Sequence, residues 1–326
     1  MTHDTHTHTQ DDFRDIYDAV VVGGGAGGLS AALVLGRARR RVAVVDCGSP
    51  RNAPAARMHG FLSRDGMPPA ELLRIGRKEV SGYGVELLDG RVEGVVAVAT
   101  PSGTPLFDVR LAEGSVLRAR RVVVATGLRD ELPSFPGVRE RWGQDVLHCP
   151  YCHGYEVRDR PLGVLGTQPH SARHALLVRQ WSADVVYFPH TVPVSDDDRA
   201  GLDARGIRIV EGAVAEVVVE QDALRGVRLA DGRLVAREAV FVAPRFVPRD
   251  GPLAGLACAK DEAGWVVTDP TGLTSVPGVW VIGNAADPRA QVVSAAGAGS
   301  AAAAALNHSL VDEDTTRALT PGPATR

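Results

Sequence analysis

The chain has 326 residues, of which 44% are apolar and 23% are charged, and its net charge is −3. That length suits about two globular domains, and the interspersed charges argue against a nucleic-acid-binding face or a polybasic membrane patch. The apolar runs are too short to span a bilayer and no secretory signal precedes them, so we expect a cytoplasmic protein.

The first residues of the chain are polar and contain His3, His6 and His8. A short His-rich tract can bind a metal ion, but a terminal segment of this composition is more often disordered. We therefore predict a disordered tail over residues 1–14 and no metal site.

A Gly-rich turn follows the first apolar run. Residues 17–22 lead directly into Gly-Gly-Gly-Ala-Gly-Gly at 23–28, and residues 29–35 have helix-forming composition. A second strand-like run at 41–45 ends in Asp46. Strand, turn, helix and strand with an acid at this spacing are typical of a dinucleotide-binding fold.

Three glycines of this turn have predicted roles. Gly23 permits the tight turn, Gly25 lets the backbone approach a pyrophosphate, and Gly28 lets the helix pack against the strand. Asp46 is placed to accept hydrogen bonds from the adenosine ribose. The predicted pyrophosphate site consists of Gly23, Gly25, Ala26, Gly27 and Gly28. The alternative is a Gly-rich turn without a ligand, which the flanking strands and Asp46 disfavour.

A second strand–turn–helix begins near residue 162. Residues 121–125 form a buried-strand run before Thr126-Gly127, and prolines at 133 and 136 indicate a connection. After residues 162–165 comes the turn Gly-Thr-Gln-Pro-His-Ser, in which Gln168 and Pro169 stand where close phosphate approach calls for small residues.

The chain then returns to the first domain. Residues 278–282 read as a strand that runs into a turn, and residues 291–306 read as a long Ala-rich helix. The predicted fold class is α/β, with two Rossmann-like domains of three-layer ββα type, the second inserted in the first. The predicted ranges are 15–128 with 244–310 for the first domain, 129–243 for the inserted domain, which carries a CxxC motif at Cys149 and Cys152, and 311–326 for a solvated C-terminal tail.

The inserted domain contains Cys149-Pro-Tyr-Cys152-His153-Gly. Pro150 can start a helical turn, which would bring the two thiols within bridging distance. A thiol at a helix N-terminus has a lowered pKa, and His153 is placed to move a proton during thiol exchange. We predict a redox-active dithiol of Cys149 and Cys152, with His153 as its acid–base partner.

Three rival interpretations of this motif stay open. Cys149, Cys152 and His153 match the attachment pattern of haem c, but that chemistry belongs to exported proteins. Zinc would need His148 and His153 as extra ligands, and four ligands within six residues rarely form a tetrahedral site. A pair of inert buried thiols is the third.

These elements together resemble the low-molecular-weight thioredoxin reductase family of flavoproteins, over about residues 17–306. The resemblance rests on the glycines at 23–28, on Ala-Thr-Gly at 125–127 and on the Cys149/Cys152 pair. It rests also on Gly-Asn-Ala-Ala-Asp at 283–287 followed by Gln-Val-Val-Ser-Ala-Ala-Gly at 291–297.

The resemblance implies that FAD lies extended across the split domain, with a helix N-terminus near 291 favouring the negative charge of reduced flavin. It implies that Cys152 faces the flavin, that Cys149 attacks the external disulfide or dithiol, and that the protein is a homodimer. The further cofactor contacts that it implies are Arg51, Asn52, Thr126, Gly127, Gly283, Asn284, Gln291 and Val292.

The chain departs from the family's NADPH site. The family has a basic cluster for the ribose 2′-phosphate, whereas this chain has three aspartates at 196–198, which would repel that phosphate. The second site therefore looks degenerate, and NADPH binding stays open. His153 replaces the family's acid after the second cysteine, and Asn284 replaces its flavin-side Asp.

These departures resemble the branch of dithiol oxidases that close disulfides in natural products of the gliotoxin and holomycin type. We expect an FAD-dependent thiol–disulfide oxidoreductase that passes electrons from a dithiol through Cys149 and Cys152 to FAD and oxygen. The alternatives are an NADPH-dependent thioredoxin reductase and a flavin/dithiol redox sensor. The expected partner is a small-molecule dithiol or disulfide, or a thioredoxin-like protein.

Overall fold

The computed structural model describes residues 16–100 and 103–319, so the predicted His-rich tail lies outside the described residues. The described chain divides into two compact units. The first contains residues 16–50, 70–128 and 248–319, and the second contains Arg51–Pro69 and Arg129–Val247. Residues 51–69 thus group with the second unit. In the described ranges, no helix is both long enough and apolar enough to cross a membrane.

The strands and helices of the first unit alternate in the order expected of a dinucleotide-binding fold. They are β1 (Ile16–Val22), α1 (Ala26–Arg37), β2 (Val42–Asp46), α2 (Pro69–Ser81), β3 (Glu86–Asp89), β4 (Val92–Val98), β5 (Leu106–Leu111), β6 (Val116–Val124), and, after the second unit, β17 (Val279–Val281) and α6 (Val292–Leu319).

Parallel pairing of β1 with both β2 and β6 builds the centre of the first unit's sheet. In the described residues this sheet has seven strands, in the order β3-β2-β1-β6-β5-β4, with β17 also paired to β6. The beginning of β6 pairs antiparallel with β5, and its end pairs parallel with β17. The carboxyl ends of β1, β2, β6 and β17 therefore lie at one edge, where α/β sheets bind their ligands.

Alternate residues of these strands bury opposite faces of the sheet. Val21 and Val123 face a cluster that includes Leu35 of α1 and Leu306 of α6. Val20 and Val122 face the opposite cluster, which includes residues of β4, β5 and the 3-10 helix Gly251–Leu256. Burial on both faces explains why β1 and β6 read as nearly continuous apolar runs.

The second unit contains more strands than the first. Its elements are β7 (Leu128–Glu131), β8 (Val146–Leu147), α3 (Pro150–His153), β9 (Leu162–Leu165), α4 (Ser171–Val178), β10 (Val185–Phe188), α5 (Asp196–Ala204), β11 (Arg208–Ile209), β12 (Val214–Glu220), β13 (Ala223–Leu229), β14 (Leu234–Ala236), β15 (Ala239–Val242) and β16 (Arg245–Pro248).

A parallel sheet in the order β11-β10-β9-β15-β8 forms the middle layer of the second unit. One face packs on α4 and α5, with Ala175 and Leu202 fully buried. The other face packs on the antiparallel sheet β12-β13-β14, through residues such as Val227. Both units thus layer a parallel sheet between helices and further strands, and the α/β fold class is confirmed.

The C-terminal helix is longer than the sequence predicted. We expected a solvated tail from residue 311, but α6 continues to Leu319, so that prediction is wrong over residues 311–319. Glu313 of this extension pairs with the buried guanidinium groups of Arg120 and Arg121, each at 2.8 Å. Asp314 pairs with Arg40 at 2.8 Å. These ion pairs hold the extension against the unit.

Candidate functional site

The Gly-rich turn between β1 and α1 is closely packed. Gly23 has a φ of +108°, which favours glycine, and a Cβ on Gly28 would collide with the Gly23 carbonyl oxygen. A Cβ on Gly27 would lie 3.0 Å from the Ala295 carbonyl oxygen of α6. A Cβ on Gly299 would in turn collide with the Gly27 carbonyl oxygen. The turn therefore fits tightly against both β1 and α6.

The N-terminus of α1, in contrast, is open. Gly25 is its N-cap residue, no side chain caps it, and its first turn has no acidic residue. A Cβ on Gly25 would have no atom of the described chain within 4 Å. The first N–H groups of a helix, here including that of Ala26, have no intrahelical acceptor and carry partial positive charge. This cradle fits the pyrophosphate of a dinucleotide.

Asp46 lies beside this turn, as expected of a ribose ligand. β2 brings it there, because Val45 pairs with Val22 at the end of β1. A Cβ on Gly24 would lie 2.8 Å from the Asp46 carboxyl carbon, so Gly24 leaves room for that side chain. Arg77 of α2 approaches the Asp46 carboxylate at 3.4 Å. No local sequence pattern marks Arg77 as a site residue.

Thr126 and Gly127 follow β6 at the same edge of the sheet. The Thr126 hydroxyl donates to the Arg249 carbonyl at 2.6 Å, and Gly127 adopts a φ of +73°. A Cβ on Gly23 would lie 3.2 Å from the Thr126 nitrogen. The structure therefore brings Thr126 together with the Gly-rich turn.

The turn before α6 contains the last predicted cofactor contacts. Gly283 has a φ of +61°, and the Asn284 side-chain amide donates to the carbonyls of Asp287 and Ala290 at 3.0 and 2.9 Å. The Gln291 carbonyl accepts from the Ala295 N–H at 2.8 Å, and α6 begins at Val292. Asn284 thus orders the chain that leads into α6.

Arg51 and Asn52, also predicted to contact the cofactor, belong to the second unit. The Arg51 guanidinium forms a two-point hydrogen bond to the Asp130 carboxylate at 2.8 and 2.7 Å, and it lies over the Phe246 ring at 5.0 Å. The Asn52 carbonyl accepts from the Ala55 N–H at 3.1 Å. The contacts of Arg51 give its side chain a structural role within its own unit.

The predicted dithiol is present as a disulfide. Cys149 and Cys152 are bonded, with their Cα atoms 5.2 Å apart. Cys149 is the N-cap of α3, which starts at Pro150, and its carbonyl accepts from the N–H groups of Cys152 and His153 at 3.1 and 3.2 Å. A Cβ on Gly154 would collide with the Pro150 carbonyl and crowd Trp181. Gly154 therefore lets this turn close.

His153 is half-buried beside Cys152. Burial lowers its pKa from the usual 6.5, the Glu156 carboxylate raises it, and His59 lowers it. His59 comes from the segment Arg51–Pro69, and its Nε2 lies 3.4 Å from a Glu156 oxygen. A neutral imidazole next to two exchangeable thiols can take a proton from an incoming thiol. Nothing near His59 in the sequence indicates its contact with the dithiol turn.

The turn before α4, where a second nucleotide would bind, has N–H groups engaged by the chain itself. The Ser171 hydroxyl accepts from the N–H groups of Thr167 and Gln168 at 3.2 and 3.1 Å, and Ser171 is fully buried. Pro169 has no N–H group to offer. A Cβ on Gly166 would collide with the Pro189 carbonyl, so this glycine serves packing.

His174 of α4 is a buried histidine near this turn. Its ring centroid lies 5.6 Å from that of His148, and burial lowers its pKa to about 4. In the described part of the chain, its Nε2 atom has no hydrogen-bond partner. The His148 Nδ1 lies 3.1 Å from the Val242 carbonyl oxygen. His174 is thus held as the neutral imidazole.

The acidic run at 196–198 starts a helix. Ser195 is the N-cap of α5, and its hydroxyl accepts from the Asp198 N–H at 3.1 Å. The Asp198 carboxylate accepts from the Ser195 hydroxyl at 2.8 Å. Carboxylates in a first turn stabilise a helix through its dipole. These residues therefore have a structural role besides any repulsion of a phosphate.

The family model of the pyridine nucleotide-disulphide oxidoreductases matches residues 17–300. The chain belongs to this family. Membership confirms the predicted resemblance and the enzyme class, and it implies that this pyridine nucleotide-disulphide oxidoreductase binds FAD. The disulfide between Cys149 and Cys152 fits the thiol–disulfide chemistry of such an oxidoreductase.

Individual relatives agree with this assignment. Thioredoxin reductase sirT of Leptosphaeria maculans is 31% identical over 92% of this chain and 96% of its own length. A probable thioredoxin reductase of Arthroderma benhamiae is 35% identical over 56% of this chain and 46% of that protein. The crystal structure of HlmI is similar with a TM-score of 0.91 and 63% identity, covering 94% of this chain and 96% of that one.

Proposed function

We propose that this chain is an FAD-dependent dithiol oxidase that converts a small-molecule dithiol and dioxygen into a disulfide and hydrogen peroxide. The observation that carries the proposal is the contrast between the turns that precede α1 and α4. The turn before α1 is open to a pyrophosphate, whereas in the turn before α4 the Ser171 hydroxyl binds the N–H groups of Thr167 and Gln168, and Pro169 has no N–H group. An enzyme that binds FAD at the first turn and has these N–H groups already engaged at the second draws its electrons from a thiol substrate rather than from NADPH.

The first unit is proposed as the FAD-binding domain. Its residues are those that would hold the cofactor: the turn at 23–28 for the pyrophosphate, Asp46 for the ribose, and Thr126, Gly283 and Gln291 around the rest. When bound, FAD would accept two electrons from the reduced cysteine pair and deliver them to dioxygen.

The dithiol turn would carry out the exchange. A thiolate of the substrate attacks the Sγ atom of Cys149, the Cys149–Cys152 bond breaks, and Cys152 leaves as a thiolate. The second substrate thiolate attacks the sulfur that is bonded to Cys149, which closes the product disulfide and releases the Cys149 thiolate. His153 takes the proton of the first substrate thiol, releases it to solvent, and then takes the proton of the second. The substrate is oxidised by two electrons, and the cysteine pair is reduced by two.

An NADPH-dependent thioredoxin reductase is the second candidate, because relatives such as sirT carry that name. It would run the same exchange in the opposite direction, with a thioredoxin-like partner.

From the family resemblance we also propose a cytoplasmic homodimer. Light scattering of the purified protein would test whether it is a dimer.

Anaerobic stopped-flow reduction separates the two candidates. We expect dithiothreitol to bleach the flavin rapidly in the wild type, and micromolar NADPH to bleach it slowly. Cys149→Ser and Cys152→Ser should each abolish bleaching by dithiothreitol, and only Cys149→Ser should retain a thiolate that gives charge-transfer absorbance. Rapid, saturable reduction by micromolar NADPH would identify a reductase instead.

A further inference from the structure

Side chains from the segment Arg51–Pro69 meet the dithiol turn within the second unit. The two ring nitrogens of His59 face two different carboxylates: Nε2 lies 3.4 Å from a Glu156 oxygen, and Nδ1 lies 3.3 Å from an Asp65 oxygen. The other Asp65 oxygen accepts from the Gly60 N–H at 2.9 Å. Asp65 therefore contacts one ring nitrogen of His59, and Glu156 contacts the other.

The position of Glu156 gives this arrangement a role near the thiols. Glu156 follows His153 by three residues, and its carboxylate acts electrostatically on the His153 ring. The titratable groups that act on His153 in the described chain are Glu156 from its own turn and His59 from the neighbouring segment. The Cys152 thiolate joins them once the disulfide opens.

We propose that His59 is a positioning residue that holds the Glu156 carboxylate towards His153 during thiol–disulfide exchange. This proposal rests on the proposed function only in that His153 accepts the substrate's proton.

The physical reason lies in the burial of His153. Burial disfavours the imidazolium that forms when His153 takes a proton, and this lowers its pKa. A nearby carboxylate offsets that cost by stabilising the imidazolium. Glu156 is exposed and would otherwise sample many rotamers in water, so its effect depends on a partner that restrains it. His59 is that partner, and Asp65 orients the ring that restrains it.

The experiment measures how the anaerobic reduction of the holoenzyme by dithiothreitol depends on pH. The acidic limb of this profile reports the pKa of His153, because only the neutral imidazole accepts a proton. Glu156→Gln should move the limb to lower pH by about 0.5 unit, a modest shift because this exposed carboxylate is screened by solvent. His59→Gln should move it in the same direction. The double variant should show no more than the shift of Glu156→Gln alone.

Glu140→Gln is the matched control. Glu140 is an exposed carboxylate of the same unit, and no ion pair of the described chain involves it. This variant should leave the profile unchanged. NMR titration of the His153 ring, assigned with His153→Asn, should show the same shifts as the kinetics without any need for turnover.

Three results would overturn the proposal. If His59→Gln moves the limb to higher pH, His59 acts on His153 directly through its own charge and does not position Glu156. If neither variant shifts the His153 titration, or if the two shifts add in the double variant, Glu156 is not held by His59. Failure of the proposed function looks different: the wild type would then be reduced by NADPH or would fail to turn over with oxygen, while the His153 titration could still shift as described.

Discussion

The open N-terminus of α1 allows a substitution that should damage cofactor binding without damaging the fold. Gly25→Ala adds one methyl group where the described chain has no atom within 4 Å. The backbone of Gly25 has φ −75° and ψ −176°, which alanine adopts without strain. The variant should thus unfold at nearly the same denaturant concentration as the wild type, because the stiffer unfolded chain offsets the weaker preference for alanine at an N-cap.

The substitution should instead weaken the binding of the pyrophosphate. The methyl group enters the space through which phosphate oxygens would reach the first N–H groups of α1. A hydrogen bond to a charged group contributes about 1.5–3 kcal/mol, so the loss of one such bond weakens FAD binding about 10- to 100-fold.

The assay titrates apoprotein with FAD and follows the quenching of flavin fluorescence. Gly251→Ala is the control, because it adds the same methyl group to the same unit, also with no described atom within 4 Å. Urea unfolding of the apoproteins checks the fold of all three chains. Wild-type affinity for FAD in Gly25→Ala, together with unchanged stability, would refute the pyrophosphate site at residues 23–28.

Three further predictions concern stability. Glu313→Gln removes the carboxylate charge facing the buried Arg120 and Arg121 and should lower the free energy of unfolding by about 3 kcal/mol in urea, whereas the exposed Asp312→Asn should change it by less than about 0.5. Burial lowers the pKa of His174 to about 4. Its contribution to the free energy of unfolding is therefore fully present above pH 6.5, and up to about 3 kcal/mol is lost as the pH falls from 6.5 towards 4. His174→Gln should lose less in that window, and equal losses in both proteins would contradict the assignment. Ser171→Ala leaves the N–H groups of Thr167 and Gln168 without their acceptor and should lower the free energy of unfolding by about 1 kcal/mol, with unchanged stability as the contrary result.

The features that the sequence predicted are those that depend on neighbours in the chain. The turn at 23–28 is recognisable because its glycines are required by local geometry: Gly23 has a positive φ, and Gly28 has no room for a Cβ. The pairing of Cys149 with Cys152 follows from a single turn started by Pro150.

The features that it missed depend on contacts between distant residues. The extension of α6 is stabilised by Glu313, whose partner Arg120 lies 193 residues away. Residues 311–319 follow an Ala-rich helix and include several charged residues, so their local sequence predicts a solvated tail. The contact of His59 with Glu156 likewise joins segments that share no local pattern. Only the three-dimensional fold brings such side chains together.

The close crossing of α1 and α6 links two parts of the chain that are far apart in sequence. Because the backbone of Gly27 leaves no space for a Cβ on Gly299, the Gly-rich turn and the C-terminal helix cannot shift independently. A ligand held by residues 23–28 therefore also makes the opening of α6 less favourable, since it adds its binding free energy to the folded state of both. Amide hydrogen exchange in the middle of α6 would then depend on ligand concentration, and this helix would report occupancy of a turn near the opposite end of the chain.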